Sequence, residues 1–343
     1  MGLVKKLAQC QSVAVVGLGK TGLSVVRFLS KLNKRVIAVD DADNPACLEI
    51  VQQIVGADRV FVGSYSESLL MSVDLIVVSP GVDLNQSIFQ RLQAHGQSIC
   101  GDVELFCQVN SVPLITITGS NGKTTLTTMV VETLGKAGFT VCAAGNFGLP
   151  VLDLCFRDDL DYVVLEISSF QLETTYSLFS SVAVLLNCTP DHLDRHRTFE
   201  HYFNLKLSVF NRCRYAIVNS DIPLPHQPLE QAHFTFSATS NATDFYLQRS
   251  DSNQVVCFRE QPIASVASWV LQGAHHYENA LALLAIVRAL GLPFTSALDV
   301  LNSFSGVEHR CQRVCEHDGV TWYNDSKATN EGATIAAIKT LSS

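Results

Sequence analysis

The stretch that most constrains the fold spans residues 114–125, where a run of β-branched and apolar residues stops at a short glycine-containing turn. The turn begins at Gly119 and ends at Gly122, and a segment compatible with a helix follows it. A strand, a glycine turn and a helix in this order are typical of a phosphate-binding loop. The glycines let backbone N–H groups approach an anion, and the helix N-terminus adds partial positive charge.

Two side chains give this loop its expected chemistry. Lys123 is placed to reach terminal phosphates, and the Thr124 hydroxyl is placed to contact Mg²⁺. We expect further nucleotide contacts from the rest of the loop, at Gly119, Asn121, Gly122 and Thr125. Ile117 stands where the general motif has its first glycine, so the loop is a shortened variant. The alternative is a plain connection between a strand and a helix.

A second glycine pattern lies near the start of the chain. An expected strand at residues 12–16 is followed by Gly17, Gly19 and Gly22, and the next expected strand ends at Asp40. This is the fingerprint of a dinucleotide-binding turn, with Asp40 at about the spacing of a ribose-binding acid. Taken alone, the pattern favours NAD. The alternative is tight packing of a strand on a helix without any ligand.

More strands are expected in the same segment, at residues 59–62, 74–78 and 98–100. Ser79 lies in the loop that follows one of them, at the carboxyl end where α/β sheets bind ligands. The alternation of strands and helices predicts a small Rossmann-like domain over residues 1–101.

Two later strands also deliver polar groups at their carboxyl ends. The expected strand at 162–165 ends at Glu166, and the one at 182–186 leads to His192. Because the ends of parallel strands share one edge of a sheet, these side chains should converge with Lys123. Glu166 and His192 could then hold Mg²⁺ while Lys123 neutralises phosphate charge. The alternative is that each is a solvated loop residue.

The rest of the central segment carries less chemistry. Asp191 and Asp194 have an alternative explanation as helix caps. A strand is expected at 215–219, an antiparallel flap at 222–262, and a helix at 277–290 that stops before a Gly-Leu-Pro sequence.

The composition limits the partners and the location. The chain has 343 residues, 47% of them hydrophobic, so a large core can form. A net charge of −8 argues against nucleic acid, which is bound by clustered Lys and Arg. The eleven cysteines include no Cys-x-x-Cys pair, which favours buried thiols in a reducing cytosol. No apolar run reaches the ~18 residues of a membrane span. We therefore expect a cytoplasmic protein with no membrane or nucleic-acid partner.

Taken together, these motifs resemble the Mur ligase family. The matching pieces run in the family's order and lie at residues 17–22, 79–82, 101–106, 118–125, 145–148, 165–173, 191–194, 309–310 and 324–330. The stretches 166–173 and 324–330 are specific to the member that adds D-glutamate. The resemblance implies a Rossmann-like first domain, a P-loop-type central domain with a mostly parallel sheet at 102–306, and the start of an incomplete Rossmann-like third domain at 307–343.

The resemblance replaces NAD as the ligand of the first glycine turn. In this family the first domain binds the UDP part of the substrate, which places Asp40 and Asp41 near the uridine. Further substrate contacts are implied at Gly19, Thr21, Ser79, Asn146, Ser168 and Thr329.

The resemblance also implies an ATP and Mg²⁺ site in the central domain. Asn279 matches an adenine contact, and Arg310 and Asp325 match groups on the phosphate and ribose of ATP. Lys206, which is a surface lysine on the residues alone, matches the lysine that the family carbamoylates, and its carbamate would serve a second Mg²⁺. Lys327 matches a position near the reacting carboxylate. The implied catalytic residues are Lys123, Lys206, His192 and Lys327, and the implied metal ligands are Thr124, Glu166, His192 and Lys206.

The implied activity is the ATP-dependent joining of D-glutamate to UDP-N-acetylmuramoyl-L-alanine through an acyl phosphate, by a monomeric enzyme. The third domain is only begun in this sequence, so we expect the chain to bind the UDP-substrate yet to ligate poorly. The alternatives are a ligase of the same family for another amino acid, a non-catalytic nucleotide-binding fragment, and an NAD-dependent oxidoreductase.

Overall fold

A computed structural model describes residues 4–223, 231–250, 253–310, 312–328, 334, 335 and 338. The chain forms two compact units. The first consists of Met1–Ser111, Ala144–Asp158 and Ser169–Leu178, and the second of Val112–Ala143, Asp159–Ser168 and Phe179–Ser343. Both units combine helices with mostly parallel sheets, so the predicted α/β class is confirmed. The predicted domain limits at residues 101 and 306 stay predictions.

The first unit is built on a five-stranded parallel sheet. Its strands are β1 Ser12–Val16, β2 Arg35–Val39, β3 Val60–Phe61, β4 Leu75–Val78 and β5 Ile99–Gly101. They lie in the order β3-β2-β1-β4-β5, which is the expected Rossmann-like arrangement. Val16 pairs with Val39 on one side and with Val78 on the other, so the carboxyl ends of the three central strands are aligned.

Helices connect these strands. They are α1 Val4–Gln9, α2 Lys20–Lys31, α3 Leu48–Val55, α4 Glu67–Met71, α5 Ser87–Ala94 and α6 Asp102–Val109. In α2 the apolar residues Val25, Val26 and Leu29 are buried on one face, which docks the helix. The helix begins directly after Gly19, so its N-terminus lies at the carboxyl end of β1.

The second sheet has nine strands in the described residues. They are β6 Leu114–Thr118, β7 Val141–Gly145, β8 Tyr162–Glu166, β9 Ser180–Leu185, β10 Cys213–Asn219, β11 Ala232–Ser237, β12 Phe245–Ser250, β13 Asn253–Phe258 and β14 Gln261–Ser265. Their order is β14-β13-β12-β11-β10-β9-β6-β8-β7. The strand that leads into the phosphate loop, β6, therefore lies between the two strands that lead to Glu166 and His192, and it pairs parallel to both.

Six more helices follow residue 112 in the described part of the chain. They are α7 Lys123–Lys136, α8 Ser169–Glu173, α9 Leu193–His196, α10 Phe199–Leu207, α11 Ala274–Ala289 and α12 Thr295–Ser303. The second unit's core joins the strands to α7 and α11, and α11 is buried almost all round, with Leu281, Leu283 and Leu284 inaccessible to solvent. Because α7 is fixed by this core, the phosphate loop at its N-terminus stands on a rigid support.

Two expectations about the second unit need correction. The predicted antiparallel flap at 222–262 is wrong for its first half, because β11 pairs parallel to β10 and β12 pairs parallel to β11. Only β12, β13 and β14 form the antiparallel part. The reason is burial: Phe236 and Phe245 are inaccessible, so these strands extend the core sheet. Residues 224–230 lie outside the described residues.

A hairpin follows α12. It consists of β15 Gln312–His317 and β16 Val320–Asn324, which pair antiparallel. Val314, Val320 and Trp322 on this hairpin are exposed. Most of residues 330–341 lie outside the described residues. Among the described residues, no helix combines the length and apolar character needed to cross a membrane.

Candidate active site

One position of the phosphate loop has a backbone conformation that favours glycine. Gly122, the residue before α7, has a φ of 79° in the left-handed region. A Cβ there would lie 2.8 Å from Leu186 Cδ2 and 2.9 Å from Asn279 Oδ1. Asn279 is itself buried, so the predicted adenine contact packs against the loop. The loop is closely held from two later elements of the chain.

The segment after β9 also holds the loop by hydrogen bonds. The Asn187 side chain accepts from the Asn121 backbone N–H at 2.8 Å and donates to the Asn121 carbonyl at 3.0 Å. The Ser120 hydroxyl contacts the Tyr202 hydroxyl at 2.8 Å and donates to the Thr189 carbonyl at 2.9 Å. Neither Asn187 nor Tyr202 was predicted as a site residue. The only sequence signal for Asn187 is its place at the carboxyl end of a buried strand.

Two lysines converge on one carbonyl of the loop. Lys123 Nζ donates to the carbonyl oxygens of Gly119 and Ser120, at 2.8 and 2.9 Å. Lys206 Nζ donates to the same Gly119 oxygen at 2.8 Å and lies 4.7 Å from the centre of the Tyr202 ring. Lys206 is only 2% exposed, so its interpretation as a surface lysine is wrong. The residue pattern misses this because a lone lysine in a helix carries no signal of burial.

Burial and mutual repulsion change the protonation of these lysines. Burial lowers the pKa of Lys123, with Arg310 adding to the effect and Glu166 and Asp191 opposing it. Burial and then the charge of Lys123 lower the pKa of Lys206 to about 7. Two cations held this close are stabilised by an anion beside them.

Acidic side chains lie near these two lysines. Glu166 ends β8, pairs in register with Ile117 of β6 and is 1% exposed. Asp191 is half-buried and acts electrostatically on both lysines. Neither Asp191 nor Asp194 is the N-cap of α9, because His192 occupies that position. His192 is largely exposed, with Nε2 3.6 Å from Asp191 Oδ2. Asp191, between the end of β9 and α9, was predicted only as an alternative helix cap.

The donor set fits magnesium better than a metal that prefers nitrogen or sulfur. Among the described residues, no group of three or more His, Cys, Asp or Glu side chains is arranged to hold a metal ion. The buried Glu166 carboxylate and the buried Thr124 hydroxyl carry oxygen atoms of the kind that Mg²⁺ prefers. Mg²⁺ takes few protein ligands and completes its shell with water and phosphate oxygens, so these residues suit a magnesium–nucleotide complex.

Arg310 approaches the loop from the segment before the hairpin. Its Nη2 donates to Thr124 Oγ1 at 3.5 Å, and its Nε is buried with no hydrogen-bond partner among the described residues. Arg310, Asn279 and Asp325 line one cavity of about 110 Å³. A buried guanidinium N–H that faces a phosphate loop fits an anionic ligand.

Three titratable residues line the same cavity and were not predicted as site residues. They are His275, His276 and Glu278. The two imidazole rings lie 3.9 Å apart, and burial together with His275 lowers the pKa of His276 to about 3. Burial and then Asp221 raise the pKa of Glu278 to about 7. Three partly buried polar groups in one small cavity suit a ligand with several hydrogen-bonding edges.

The first unit has its own, larger cavity, of about 540 Å³. It lies at the glycine turn after β1, and Gly22 is essential to that turn because a Cβ there would lie 1.9 Å from the Gly17 carbonyl oxygen. The predicted residues Gly19, Thr21, Asp40, Asp41, Ser79 and Asn146 all line it. Ser79 donates its hydroxyl to the Gly17 carbonyl at 2.8 Å.

Asp40 accepts hydrogen bonds from the protein backbone, which differs from the ribose contact that the sequence predicts. Its Oδ2 accepts from the Leu18 N–H at 2.6 Å, and its Oδ1 accepts from the Ala42 N–H at 2.9 Å. Both carboxylate oxygens therefore fix the backbone on either side of the cavity. The spacing that predicted a ribose-binding acid is equally the spacing that lets β2 anchor the turn.

Glu104 holds one wall of this cavity in place. It is fully buried, and its Oε2 accepts from the backbone N–H groups of Tyr176 and Ser177, at 2.7 and 2.8 Å. Its Oε1 accepts from the Ser177 hydroxyl at 2.8 Å and from Gln108 at 3.0 Å. These bonds dock the segment that carries Gln171, which lines the cavity and had no predicted role.

The remaining predicted residues lie elsewhere. Lys327 is exposed, and its backbone N–H donates to the His309 carbonyl at 3.1 Å. Ser168 belongs to the second unit, two residues after Glu166, and is half-buried. Thr329 lies outside the described residues.

A profile of the Mur ligase middle domain matches residues 117–287, and a profile of the MurD-like N-terminal domain of Mur ligases matches residues 11–101. A UDP-N-acetylmuramoylalanine–D-glutamate ligase of Coxiella burnetii is 40% identical over 329 residues, which are 95% of this chain and 74% of that protein. The chain belongs to the Mur ligase family. The resemblance seen in the motifs is thereby confirmed.

Other Mur ligases give the same result. The corresponding ligase of Haemophilus influenzae is 37% identical over 97% of this chain and 76% of its own length. Among solved structures, the UDP-N-acetylmuramate-alanine ligase MurC of Thermotoga maritima has a TM-score of 0.59 at 18% identity, covering 96% of this chain and 77% of that one. MurF of Acinetobacter baumannii has a TM-score of 0.58 at 17% identity, covering 81% and 70%. These two likenesses concern the fold. Mur ligases are ATP-dependent amide ligases that use Mg²⁺.

Proposed function

We propose that this chain joins D-glutamate to UDP-N-acetylmuramoyl-L-alanine at the expense of ATP. The observation that carries the proposal is the 40% identity, over 95% of the chain, to a ligase named for that reaction. The two lysines and the buried Glu166 at the phosphate loop support it, because a reaction that brings two anions together needs cations at that point.

The cavity of the first unit takes the UDP part of the substrate in this proposal. The backbone of the glycine turn and the N-terminus of α2 hold the diphosphate, with Thr21 and Ser79 beside it. Asp40 keeps the turn in shape, and Asp41 lies toward the nucleoside. Asn146 and Gln171 line the same cavity with neutral amides, which suit the hydroxyl and amide groups of an N-acetyl sugar.

The phosphate loop of the second unit takes ATP. Lys123, the amides from Gly119 to Thr125 and the buried Arg310 hold the phosphates, while Asn279 and Asp325 hold the adenosine. Thr124 and Glu166 hold Mg²⁺, which cancels phosphate charge when it is bound. We further propose that His192 and Lys206 serve a second Mg²⁺, with Lys206 as its carbamate; burial of that amine beside Lys123 provides the place where an added negative charge is stabilised. Carbamoylation would change its contact with the Gly119 carbonyl.

The chemistry then follows from the substrates. The carboxylate of the L-alanine residue attacks the γ-phosphorus of ATP, which forms an acyl phosphate and releases ADP. The amine of D-glutamate attacks the acyl carbon, an amide forms and phosphate leaves. Lys123 and Arg310 stabilise the charge on the transferred group, and the fixed loop holds it in line. We place Lys327 and Thr329 near the reacting carboxylate and the amino acid.

Phosphate release tests the proposal directly. The chain is incubated with ATP, Mg²⁺ and UDP-N-acetylmuramoyl-L-alanine, and inorganic phosphate is measured with D-glutamate, L-glutamate, L-lysine or no amino acid. We expect release that depends on D-glutamate and on the UDP-substrate. Release that depends on another amino acid would instead make the chain a sibling ligase. Absence of release under every condition would contradict the proposal.

The carbamate has a separate test. We expect ¹³C-bicarbonate to give a carbamate carbon signal in the wild-type chain that is absent from the Lys206→Arg variant. An identical signal in both would place the carbamate on another amine. The expected cytoplasmic location and monomeric state stay predictions.

A further inference from the structure

One aromatic side chain lines the cavity of the first unit. It is Tyr65, four residues after β3, and every other lining residue is aliphatic, glycine, proline, polar or charged. Tyr65 was not predicted as a site residue. A single aromatic ring in this cavity is a flat surface on which a planar ligand group can stack.

Packing against the core fixes the ring of this side chain. The Asp41 carboxylate lies near the Tyr65 hydroxyl. The ring packs edge-on against Phe89 of the core, with centroids 5.4 Å apart and an interplanar angle of 61°. Phe89 is fully buried. Burial and the charge of Asp41 raise the pKa of Tyr65, so the hydroxyl keeps its proton at physiological pH. The ring is therefore presented in one orientation.

The position of Tyr65 in the fold indicates which part of a nucleotide it meets. In a Rossmann-like sheet the diphosphate lies at the glycine turn after β1, and the nucleoside extends over the carboxyl end of β2. Asp41 follows β2 and Tyr65 follows β3, the neighbour of β2 on the side away from β1. This is the end of the cavity where a base would lie.

The charge of Asp41 lies near the hydroxyl, so the ring is the part of Tyr65 that suits a neutral base. We propose that Tyr65 is the stacking platform for the pyrimidine base of the UDP group. The inference rests on the proposed function, in which this cavity takes UDP. In this proposal the Tyr65 ring contributes affinity for the base, and the glycine turn binds the diphosphate.

Titration calorimetry on the full chain tests this inference with two ligands. UDP carries the base, and ribose 5-diphosphate has the same ribose and diphosphate without it. Stacking of a base on an aromatic ring typically contributes enough for about a tenfold change in affinity. We expect Tyr65→Ala to weaken UDP about tenfold and to leave ribose 5-diphosphate within about twofold of wild type. Tyr65→Phe keeps the ring and should stay within about threefold for UDP.

The controls separate the possible failures. Tyr65→Leu retains an apolar contact with Phe89 and should match Tyr65→Ala in UDP affinity, and unchanged ATP binding by each variant shows that the second unit is intact. Equal weakening of both ligands by Tyr65→Ala, or no weakening of either, would overturn the stacking role. If the wild-type chain binds ribose 5-diphosphate as tightly as UDP, the base makes no contribution and the inference fails while the diphosphate site stands. If wild type binds neither, the proposed function of the cavity fails as well.

Discussion

The two glycine turns of this protein share a design and differ in charge. Each ends a central parallel strand and starts a helix, and each contains a glycine whose Cβ would meet a neighbouring group. In the first turn an acid, Asp40, ties the backbone, and the lysine of the turn, Lys20, is exposed. In the second, Lys123 and Lys206 donate to the same carbonyl.

This difference in charge matches two different tasks, which are binding a phosphate group that stays intact and transferring one. Backbone N–H groups and a helix N-terminus are enough to bind a diphosphate that stays intact. A transferred phosphoryl group needs cations that are in place before the reaction, in a site where water does not weaken them. Burying two lysines at one carbonyl costs free energy unless an anion is bound nearby. Their burial therefore indicates a site for an anionic ligand.

The largest expected effect is on Lys123. We expect Lys123→Ala to lower turnover by about a thousandfold or more, because the terminal phosphates lose their fixed cation. Lys20→Ala, the matched change in the other turn, should lower turnover by less than about threefold, since an exposed charge contributes little. Initial rates of phosphate release give both values. Similar losses in the two variants would remove the distinction between the turns.

Backbone geometry in the first turn gives the next largest effect. Gly22→Ala forces a Cβ against the Gly17 carbonyl, and we expect it to destabilise the first unit by about 3 kcal/mol or more. Gly19→Ala is the control, because Gly19 has no neighbour within 4 Å of an added Cβ and has an extended backbone, with φ of −83°. It should change stability by less than about 1 kcal/mol. Chemical denaturation measures both, and equal stability of the two variants would contradict the geometry.

Glu104 tests how the wall of the first cavity is held. Glu104→Gln replaces an acceptor by an amide donor that faces two backbone N–H groups, and we expect a loss of about 2–4 kcal/mol. Ser177→Ala removes one of the four bonds and should lose about 1 kcal/mol. The KM for the UDP-substrate should rise in both variants while the KM for ATP stays constant. A rise in the KM for ATP of equal size would show a general loss of structure.

The smallest expected effect is a change in pH dependence at the second cavity. The pKa of Glu278 is raised from 4.5 to about 7 by burial and Asp221, so the folded state binds this proton more tightly than the unfolded state. Its contribution to stability is therefore full below pH 4.5 and is lost as pH rises through 7. In Glu278→Gln that loss should be absent, which changes the slope by at most about 1.4 kcal/mol per pH unit. Denaturation at several pH values between 4.5 and 7.5 measures the two slopes. Parallel slopes would show that Glu278 does not titrate in this window.

The sequence predicts well the strands and turns that carry both sites. Buried apolar runs that end in polar residues predicted that β6, β8 and β9 are parallel with their carboxyl ends at one edge, and these strands are parallel neighbours in the structure. The glycine fingerprint led to the Rossmann-like sheet. These features are local, because a strand, a turn and the start of a helix are contained in about a dozen residues each.

What the sequence misses depends on contacts between distant residues. Glu104 meets Tyr176 and Ser177 across 72 and 73 positions, and Lys206 meets Gly119 across 87. No spacing rule links such pairs, so Glu104 received no role and Lys206 seemed exposed on its residue type alone. The resemblance to the family marked Lys206, whereas Tyr65 carried no signal before the fold placed it beside Asp41.

The central claim is that the chain holds two nucleotide sites with different tasks, and titration calorimetry with UDP and with ATP–Mg²⁺ tests it most directly. The account predicts one site for each ligand, no competition between them, and loss of ATP binding alone in Lys123→Ala. Displacement of one nucleotide by the other, or loss of both in that variant, would contradict it.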